Sequence, residues 1–212
     1  MTTSEGIGLI RKYFPELTPQ QEEKFRRMEE LYRDWNRKIN VVSRKDIDEL
    51  FLHHILHSLA IARVAGFRPG TRILDVGCGG GFPGIPLAVL FPKCDFTLAD
   101  SIGKKIRVVN DVAEKLGLGN VRGIQTRAEE LQEKFDFAVS RAVTEMPVFI
   151  KWVWNKIVPG GRNTLPNGML CLKGGDLQEE LRATGKPYVI HDIREYFEEE
   201  YFDTKRIVYM QR

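Results

Sequence analysis

The chain of 212 residues contains only three cysteines, Cys78, Cys94 and Cys171, and no two of them form a Cys-x-x-Cys pair. Scattered cysteines in odd number support neither a disulfide framework nor a zinc ribbon, and they are typical of a reducing compartment. No apolar run approaches the roughly 20 residues that span a bilayer. Residues 1–14 carry charged side chains and lack the apolar core of a secretion signal. We therefore expect a cytoplasmic protein that does not associate with a membrane.

The chain also lacks a strong excess of charge of one sign, since its formal net charge is +3 at pH 7. Basic residues are nevertheless concentrated in residues 101–127, where six of them accompany only Asp111 and Glu114. The six are Lys104, Lys105, Arg107, Lys115, Arg122 and Arg127. A positive surface can meet a polyanion such as RNA, and the simpler interpretation is a solvated helix face.

Residues 1–68 have the periodicity of helices. Thr18 followed by Pro19 and Gln21 is a capping signature, and Asp46 with Glu49 suggests a second cap. Each cap precedes an apolar stripe at steps of three and four residues. The stripes are Phe25, Met28, Tyr32 and Trp35, then Ile47, Phe51, Ile55, Leu59 and Ala62. We therefore predict a helical N-terminal extension over residues 1–68.

From residue 69 to residue 212, short apolar runs alternate with amphipathic segments. This alternation predicts an α/β fold, a doubly wound and mostly parallel sheet with helices on both faces. We predict strands over residues 72–76, 95–99, 121–125, 135–140, 169–173, 188–196 and 206–210, the last two as an antiparallel pair. Helices are expected over residues 84–90, 104–116, 147–157 and 177–183. Residues 159–168 are expected to form a mobile loop.

A glycine-rich turn follows the first predicted strand, with the pattern Asp75-x-Gly77-x-Gly79-x-Gly81. In open α/β sheets, ligands bind at the carboxyl ends of the strands, and glycines let bare backbone approach them. Asp100 ends the next strand, and its separation along the sequence from the glycine turn suits a carboxylate that accepts from ribose hydroxyls. The third glycine of a dinucleotide fingerprint is replaced by Phe82, and no nucleotide P-loop motif is present. The pattern instead resembles the class I S-adenosylmethionine methyltransferases.

Two kinds of methyltransferase chemistry lack their motifs here. The fourth predicted strand ends in Ser140-Arg141-Ala142, where amine-methylating enzymes of this class carry Asn/Asp-Pro-Pro-Tyr. A cytosine-C5 enzyme needs a cysteine nucleophile. Cys94 and Cys171 lack that setting, and Cys78 lies within the glycine turn. We therefore expect neither amine deprotonation nor covalent catalysis.

Longer stretches of the chain resemble one family, the glucose-inhibited division protein B family of 16S ribosomal RNA guanine-N7 methyltransferases. The stretches that carry this resemblance are 35–43, 54–59, 75–87, 100–105, 127–130, 140–142 and 172–174. The combination of Gly-Phe-Pro-Gly-Ile-Pro-Leu with Asp-Ser-x-Gly-Lys-Lys is specific to this family. The resemblance implies a seven-stranded, Rossmann-like methyltransferase domain over residues 69–212 and S-adenosylmethionine as the cofactor.

The resemblance further implies methyl transfer to N7 of one guanosine in 16S ribosomal RNA or the small ribosomal subunit, without a general base. Cofactor contacts are implied for Gly77, Gly79, Phe82, Asp100, Ala128, Glu129 and Arg141. Arg141 is also implied beside the entering base, as the residue that positions the substrate. We expect RNA contacts from Lys104, Lys105, Arg162 and Lys173, and a monomeric protein.

Several alternatives stay open at this point. The same cofactor could serve a small molecule or a protein, and an RNA-binding module with a vestigial pocket is a third possibility. Lys104 and Lys105 suit RNA phosphates or simple solubility about equally. His53 and His57 share a helix face, and a metal site is not expected because a third ligand is not evident. His54 is predicted to be a buried link to the core, and Trp152 and Trp154 to be packing residues.

Overall fold

Seven strands form the sheet, in the order β3-β2-β1-β4-β5-β7-β6. The computed structural model describes residues 1–43 and 46–212. The strands are β1 (Arg72–Val76), β2 (Asp95–Asp100), β3 (Val121–Gln125), β4 (Phe137–Arg141), β5 (Gly168–Gly174), β6 (Val189–Asp192) and β7 (Lys205–Gln211). The predicted seven-stranded, mostly parallel sheet is confirmed.

The first five strands run parallel, and β7 joins antiparallel to both β5 and β6. Strands β1, β4 and β5 are continuously buried over most of their length, as expected for parallel strands covered on both faces. The chain order reverses between β1 and β4, which are hydrogen-bonded neighbours. The carboxyl ends of these two strands therefore form the edge where an open α/β sheet binds its ligand.

Helices cover the sheet and form the N-terminal segment. The α-helices are α1 (Thr3–Tyr13), α2 (Pro19–Lys38), α3 (His57–Leu59), α4 (Ile61–Val64), α5 (Gly84–Leu90), α6 (Gly103–Lys115), α7 (Met146–Val153) and α8 (Gln178–Arg182). A π-helix, Leu50–Leu56, precedes α3. Short 3-10 turns occupy Ile47–Glu49, Ala128–Glu130, Trp154–Lys156, Ile193–Glu195 and Glu200–Phe202. None of the helices in the described part of the chain combines the length and apolarity needed to cross a membrane.

The N-terminal segment packs directly against the sheet domain. Buried side chains of both parts, from Ile10 and Phe25 to Phe96 and Phe137, belong to one continuous apolar cluster. Polar contacts add to this packing, since the Trp35 indole N–H donates to Asp111 at 2.7 Å. The predicted extension is therefore fastened to the sheet by a shared core.

Several local expectations were wrong. The strand predicted over residues 188–196 ends at Asp192 and is followed by the 3-10 turn Ile193–Glu195. Asp46 makes no capping hydrogen bond, and the segment after it begins as a 3-10 turn and continues as a π-helix. Its two carboxylate oxygens are directed at side chains instead, since one accepts from the Ser43 hydroxyl at 2.5 Å and the other lies 3.1 Å from His53 Nδ1. The predicted helix over residues 147–157 ends at Val153 and continues as a 3-10 turn.

The loop over residues 159–168 is anchored rather than free. The Asn163 side-chain oxygen accepts from the Arg68 backbone N–H at 2.7 Å and the Thr71 hydroxyl at 2.8 Å. Thr164 accepts from the Gly66 N–H at 2.7 Å. These bonds satisfy backbone groups of the linker before β1. They explain why asparagine and threonine occupy a segment whose composition predicts mobility.

The N-terminus of α2 offers a test of the helical segment. The Thr18 hydroxyl caps α2 by accepting from the Gln21 N–H, and the Gln21 side chain accepts from the Thr18 N–H. Thr18→Ala should lower the free energy of unfolding by about 1 kcal/mol, the usual cost of a lost cap. Chemical denaturation measures this, with Thr204→Ala in an exposed turn as the control. Equal losses of unfolding free energy in Thr18→Ala and Thr204→Ala would contradict the capping role of Thr18.

Candidate functional site

A cavity of about 480 Å³ opens at the carboxyl ends of β1, β2 and β4. Its volume lies within the range that small-molecule sites usually have. All seven residues predicted to contact a cofactor line it: Gly77, Gly79, Phe82, Asp100, Ala128, Glu129 and Arg141. The topology explains this convergence, because these residues lie at or just beyond strands whose carboxyl ends meet at one edge.

The glycine turn presents bare backbone to this cavity. Gly79 has φ +56°, a left-handed conformation that favours glycine, and a Cβ built there would meet no atom within 4 Å. Gly80 has the opposite constraint, since its built Cβ would lie 2.1 Å from a methyl carbon of Val41. One glycine therefore leaves space on the cavity side, and the next admits close packing of the N-terminal segment.

Hydrogen bonds hold the turn on the sheet side. The N–H groups of Gly77 and Cys78 donate to the Ala99 carbonyl at 2.8 and 3.1 Å. The fully buried Asp75 carboxyl accepts from the Gly84 N–H at 2.8 Å, so it ties the end of β1 to the start of α5. Burial raises the pKa of Asp75 to about 7. The Asp75 carboxyl is therefore a structural group beneath the turn.

Asp100 is oriented by its own neighbours. One carboxylate oxygen accepts from the Gly79 N–H at 3.0 Å, and the other accepts from the Ile102 N–H at 2.9 Å. A carboxylate offers about four acceptor positions, so two backbone bonds leave capacity for further donors. Asp100 lies in the cavity wall, so its free acceptor positions are available to a ligand that has paired hydroxyl groups.

The N-terminal segment holds the turn from the other side, which sequence reasoning missed. The buried Tyr32 hydroxyl of α2 donates to the Gly80 carbonyl at 2.7 Å. Burial raises the pKa of Tyr32, which keeps this hydroxyl protonated as a donor. Its ring also packs on Phe82, with centroids 4.7 Å apart. The sequence signal that could have indicated this bond is the tyrosine within a predicted buried stripe, because a buried tyrosine hydroxyl usually has a hydrogen-bond partner.

The far end of the cavity is formed after β3. Ala128 is buried and Glu129 is exposed at its rim, both in the 3-10 turn Ala128–Glu130. Trp152 of α7 also lines the cavity while packing on the second apolar cluster. The packing prediction for Trp152 is therefore correct but incomplete, because one indole serves both surroundings.

Arg141 ends β4 and is held by the π-helix. Its guanidinium donates to the His53 carbonyl at 3.0 Å and lies 2.8 Å from His54 Nδ1. The same guanidinium lies 5.2 Å from the centre of the Phe82 ring. Burial lowers the pKa of Arg141, but an arginine stays charged in proteins. Arg141 is therefore a cation of the cavity wall whose direction is set by two acceptors, and Lys105 and Arg127 also line the cavity.

A second cavity of about 490 Å³ adjoins the first and shares Arg141 and Ala142 with it. Ala142 has φ +51°, a conformation that is strained for a residue with a side chain. Such strain often occurs at functional positions. The other side chains around this cavity include His53, His57, Lys173, Tyr201 and Lys205. Arg141 is thus the boundary between two adjacent cavities.

The four predicted RNA-contacting residues do not lie together. Lys104 is exposed in the first turn of α6, and Lys105 lines the first cavity. Lys173 lies in the second cavity and donates to the Thr144 carbonyl and to Glu180, at 2.6 and 2.5 Å. Arg162 precedes β5, at the amino ends of the strands, where it donates to the Pro69 carbonyl at 2.7 Å. The structure therefore brings Lys105 to the first cavity and Lys173 to the second, leaves Lys104 on the exposed surface of α6 beside Lys105, and places Arg162 at the opposite edge of the sheet.

The histidines have partners other than a metal. His53 Nδ1 lies 3.1 Å from the Asp46 carboxylate, and His57 Nδ1 lies 3.2 Å from the Tyr201 hydroxyl. Within residues 1–43 and 46–212, no three side chains of His, Cys, Asp or Glu are grouped to hold a metal ion. His54 is buried against Arg141 and Phe82, and therefore does link the N-terminal segment to the sheet.

Comparison with known proteins resolves the family. The GidB family model, described as rRNA small subunit methyltransferase G, matches residues 21–208. Proteins named ribosomal RNA small subunit methyltransferase G are similar over nearly the whole chain. The one from Christiangramia forsetii is 57% identical over 96% of this chain and 96% of its own length. The one from Bacteroides thetaiotaomicron is 54% identical over 97% of this chain and 100% of its own.

This chain belongs to the GidB family. The family resemblance stated from the sequence is therefore confirmed, and the chain is a methyltransferase by family. Solved structures agree at the level of the fold. A SAM-dependent methyltransferase from Aquifex aeolicus is 16% identical with a TM-score of 0.56, over 80% of this chain and 98% of that one.

A second solved structure supports the same fold class. The precorrin-6y C5,15-methyltransferase from Geobacter metallireducens is 12% identical with a TM-score of 0.55. The match covers 82% of this chain and 92% of that one. The predicted class I, Rossmann-like methyltransferase fold is thereby confirmed.

The bond between Tyr32 and the glycine turn can be tested directly. Tyr32→Phe keeps the ring but leaves the Gly80 carbonyl buried without its partner, which should cost about 1 to 3 kcal/mol of unfolding free energy. Tyr188→Phe is the matched control, because Tyr188 is exposed beside the edge strand. Denaturant titration compares the two variants. A Tyr32→Phe protein as stable as the control would show that the bond does not hold the turn.

Proposed function

We propose that this chain transfers a methyl group from S-adenosylmethionine to N7 of a guanosine in 16S ribosomal RNA of the small subunit. The proposal is carried by two findings taken together. Relatives named for small-subunit rRNA methylation match nearly the full chain, and the predicted cofactor residues converge on one cavity. Because the proposed substrate is ribosomal RNA, we propose that this activity is cytoplasmic and that the protein acts as a monomer.

The residues of the cavity fit the proposed cofactor. Open space above Gly79 lets a ligand approach bare backbone, and Asp100 retains acceptor capacity for ribose hydroxyls. We propose that Ala128 and Glu129 contact the adenine, because they line the end of the cavity after β3, and that Phe82 supplies an apolar wall. When bound, S-adenosylmethionine supplies a methyl group activated by its sulfonium. The chain's own residues would hold the cofactor in the first cavity, which Arg141 separates from the second.

Guanine N7 needs orientation more than proton transfer. N7 carries an in-plane lone pair and no proton, so its methylation requires no general base. The enzyme must align this lone pair with the methyl group and exclude water, which is a positioning task. A fixed guanidinium can donate to guanine O6 beside N7, as arginine does in nucleic-acid recognition. Arg141 is therefore proposed to position the base, and the buried Asp75 carboxyl to serve as a structural group.

The direct test is tritiated methyl transfer to small subunits that lack the modification, to protein-free 16S RNA and to bulk cell extract. We expect label in the RNA of at least one of the first two substrates, and nucleoside mapping should identify N7-methylguanosine. Label found only in a protein or a small metabolite would contradict the proposal and favour a different substrate. The first two substrates together also show whether the assembled particle is required.

Glu129 tests the adenine end of the cavity. Glu129→Ala should weaken S-adenosylmethionine binding about 10-fold, the scale of one hydrogen bond to a charged group. Glu114→Ala on the exposed surface of α6 is the matched control and should bind normally. Calorimetric dissociation constants measure both variants. Normal cofactor affinity in Glu129→Ala would remove Glu129 from the adenine site.

Lys104 tests whether the basic surface contacts RNA. Contacts between lysine and phosphate make affinity fall with salt, because bound counterions are released. Lys104→Glu should therefore reduce the slope of log affinity against log salt by about one for a 16S RNA substrate. Lys93→Glu, in the loop before β2 at the other edge of the sheet, is the control and should keep the wild-type slope. Equal slopes in all three proteins would exclude Lys104 from the interface.

A further inference from the structure

The π-helix Leu50–Leu56 presents two adjacent acceptors to a single side chain. The His53 carbonyl accepts from Arg141 at 3.0 Å and from the Tyr201 hydroxyl at 3.3 Å. His54 Nδ1 faces the second terminal nitrogen of the same guanidinium, at 2.8 Å. π-Helical turns are rare and frequently occur at functional sites. This one joins the N-terminal segment to the end of β4, 87 residues later.

The protonation state of His54 follows from this contact. A guanidinium has only donors, so Nδ1 must be the accepting nitrogen and the ring proton must lie on Nε2. Burial, with a further contribution from the Arg141 charge, lowers the pKa of His54 to about 3, whereas the charge of Asp46 acts in the opposite direction. His54 is therefore a neutral acceptor throughout the physiological pH range.

The remaining contacts leave Arg141 little freedom. Phe82 lies against the guanidinium on the side of the glycine turn, and the His54 ring packs on Phe82 with centroids 5.2 Å apart. Arg141 lines both cavities, so any rotation of its guanidinium would change the boundary between them. Flexible arginine side chains lose rotamer entropy when they are held, and a preorganised guanidinium has lost it before the substrate binds.

We propose that His54 is a positioning residue of methyl transfer. With the His53 carbonyl, it fixes the Arg141 guanidinium at the boundary of the two cavities, so that a guanine arriving from the second cavity meets a cation of set direction. The effect of His54 on catalysis rests on the proposed function. The hold on Arg141, meaning the contacts that fix its guanidinium, does not rest on that function and can be measured without RNA.

The hold on Arg141 is tested by nitrogen-15 NMR of histidine-labelled protein between pH 5 and 8. We expect the His54 signals to show a neutral ring with its proton on Nε2 at every pH, and to shift in Arg141→Gln. A ring that titrates near its ordinary pKa, carries its proton on Nδ1 or ignores Arg141→Gln would overturn the inference.

The catalytic part is tested by kinetics on small subunits with saturating cofactor. His54→Leu removes the acceptor and should lower kcat about 10- to 100-fold, the scale of a misplaced group, while the cofactor dissociation constant and KM change less than about three-fold. His54→Asn restores an acceptor oxygen near the Nδ1 position and should recover most of kcat. Because His54 is not an acid or base here, His54→Asn should keep the wild-type pH profile.

A double-mutant cycle separates positioning from simple packing. If His54 acts through Arg141, adding His54→Leu to the Arg141→Gln protein should lower kcat by less than about two-fold. The reason is that the two substitutions remove the same interaction, so their effects are not independent. A packing role would give additive losses and equal defects in His54→Leu and His54→Asn, and either result would overturn the proposal. His191→Leu is the matched control, since His191 lies on the edge strand β6 and bonds Tyr196.

The two proposals fail in different ways. Wild-type protein that methylates neither small subunits nor 16S RNA contradicts the proposed function and the catalytic part of the inference with it, and the NMR result then decides the hold on Arg141. Active wild-type protein with unchanged kcat in His54→Leu overturns the positioning role alone. Thermal unfolding of each variant confirms that the kinetic differences come from folded protein.

Discussion

The backbone of the glycine turn must approach two other segments closely while staying open to a ligand, and the rest of the structure depends on this constraint. On the sheet side, the turn bonds the Ala99 carbonyl and the Asp100 carboxylate. On the helical side, the Tyr32 hydroxyl bonds Gly80, where a Cβ would clash with Val41. A turn held from both sides leaves its cavity face free, and a preorganised cofactor site requires that arrangement.

The N-terminal segment therefore belongs to the site as well as to the core. It supplies Tyr32 and Val41 to the glycine turn, and the His53 carbonyl and His54 to Arg141. The proposed boundary at residue 68 falls between the end of α4 at Val64 and the start of β1 at Arg72. It does not separate a binding module from a catalytic one, because the described contacts across it position both walls of the cavity.

Much of this could be predicted from the sequence, because the deciding signals are local. Alternating apolar runs predicted the seven strands, and the spacing from Gly77 to Asp100 follows from the glycine turn, the helix α5 and the strand β2. Contacts between distant residues could not be predicted in this way. Nothing in the local pattern pairs Tyr32 with Gly80 or His54 with Arg141, since tertiary packing decides them. A π-helix also shares most of its apolar pattern with an α-helix, so the sequence did not distinguish the two.

The central claim is that the glycine turn and Asp100 form an S-adenosylmethionine site, and calorimetric titration of the intact protein tests it most directly. The account predicts saturable binding of one S-adenosylmethionine per chain, with competition from S-adenosylhomocysteine and none from a nicotinamide dinucleotide or ATP. A protein that binds RNA but shows no heat of binding with S-adenosylmethionine would contradict the account. That result would make the fold an RNA-binding module with a vestigial pocket.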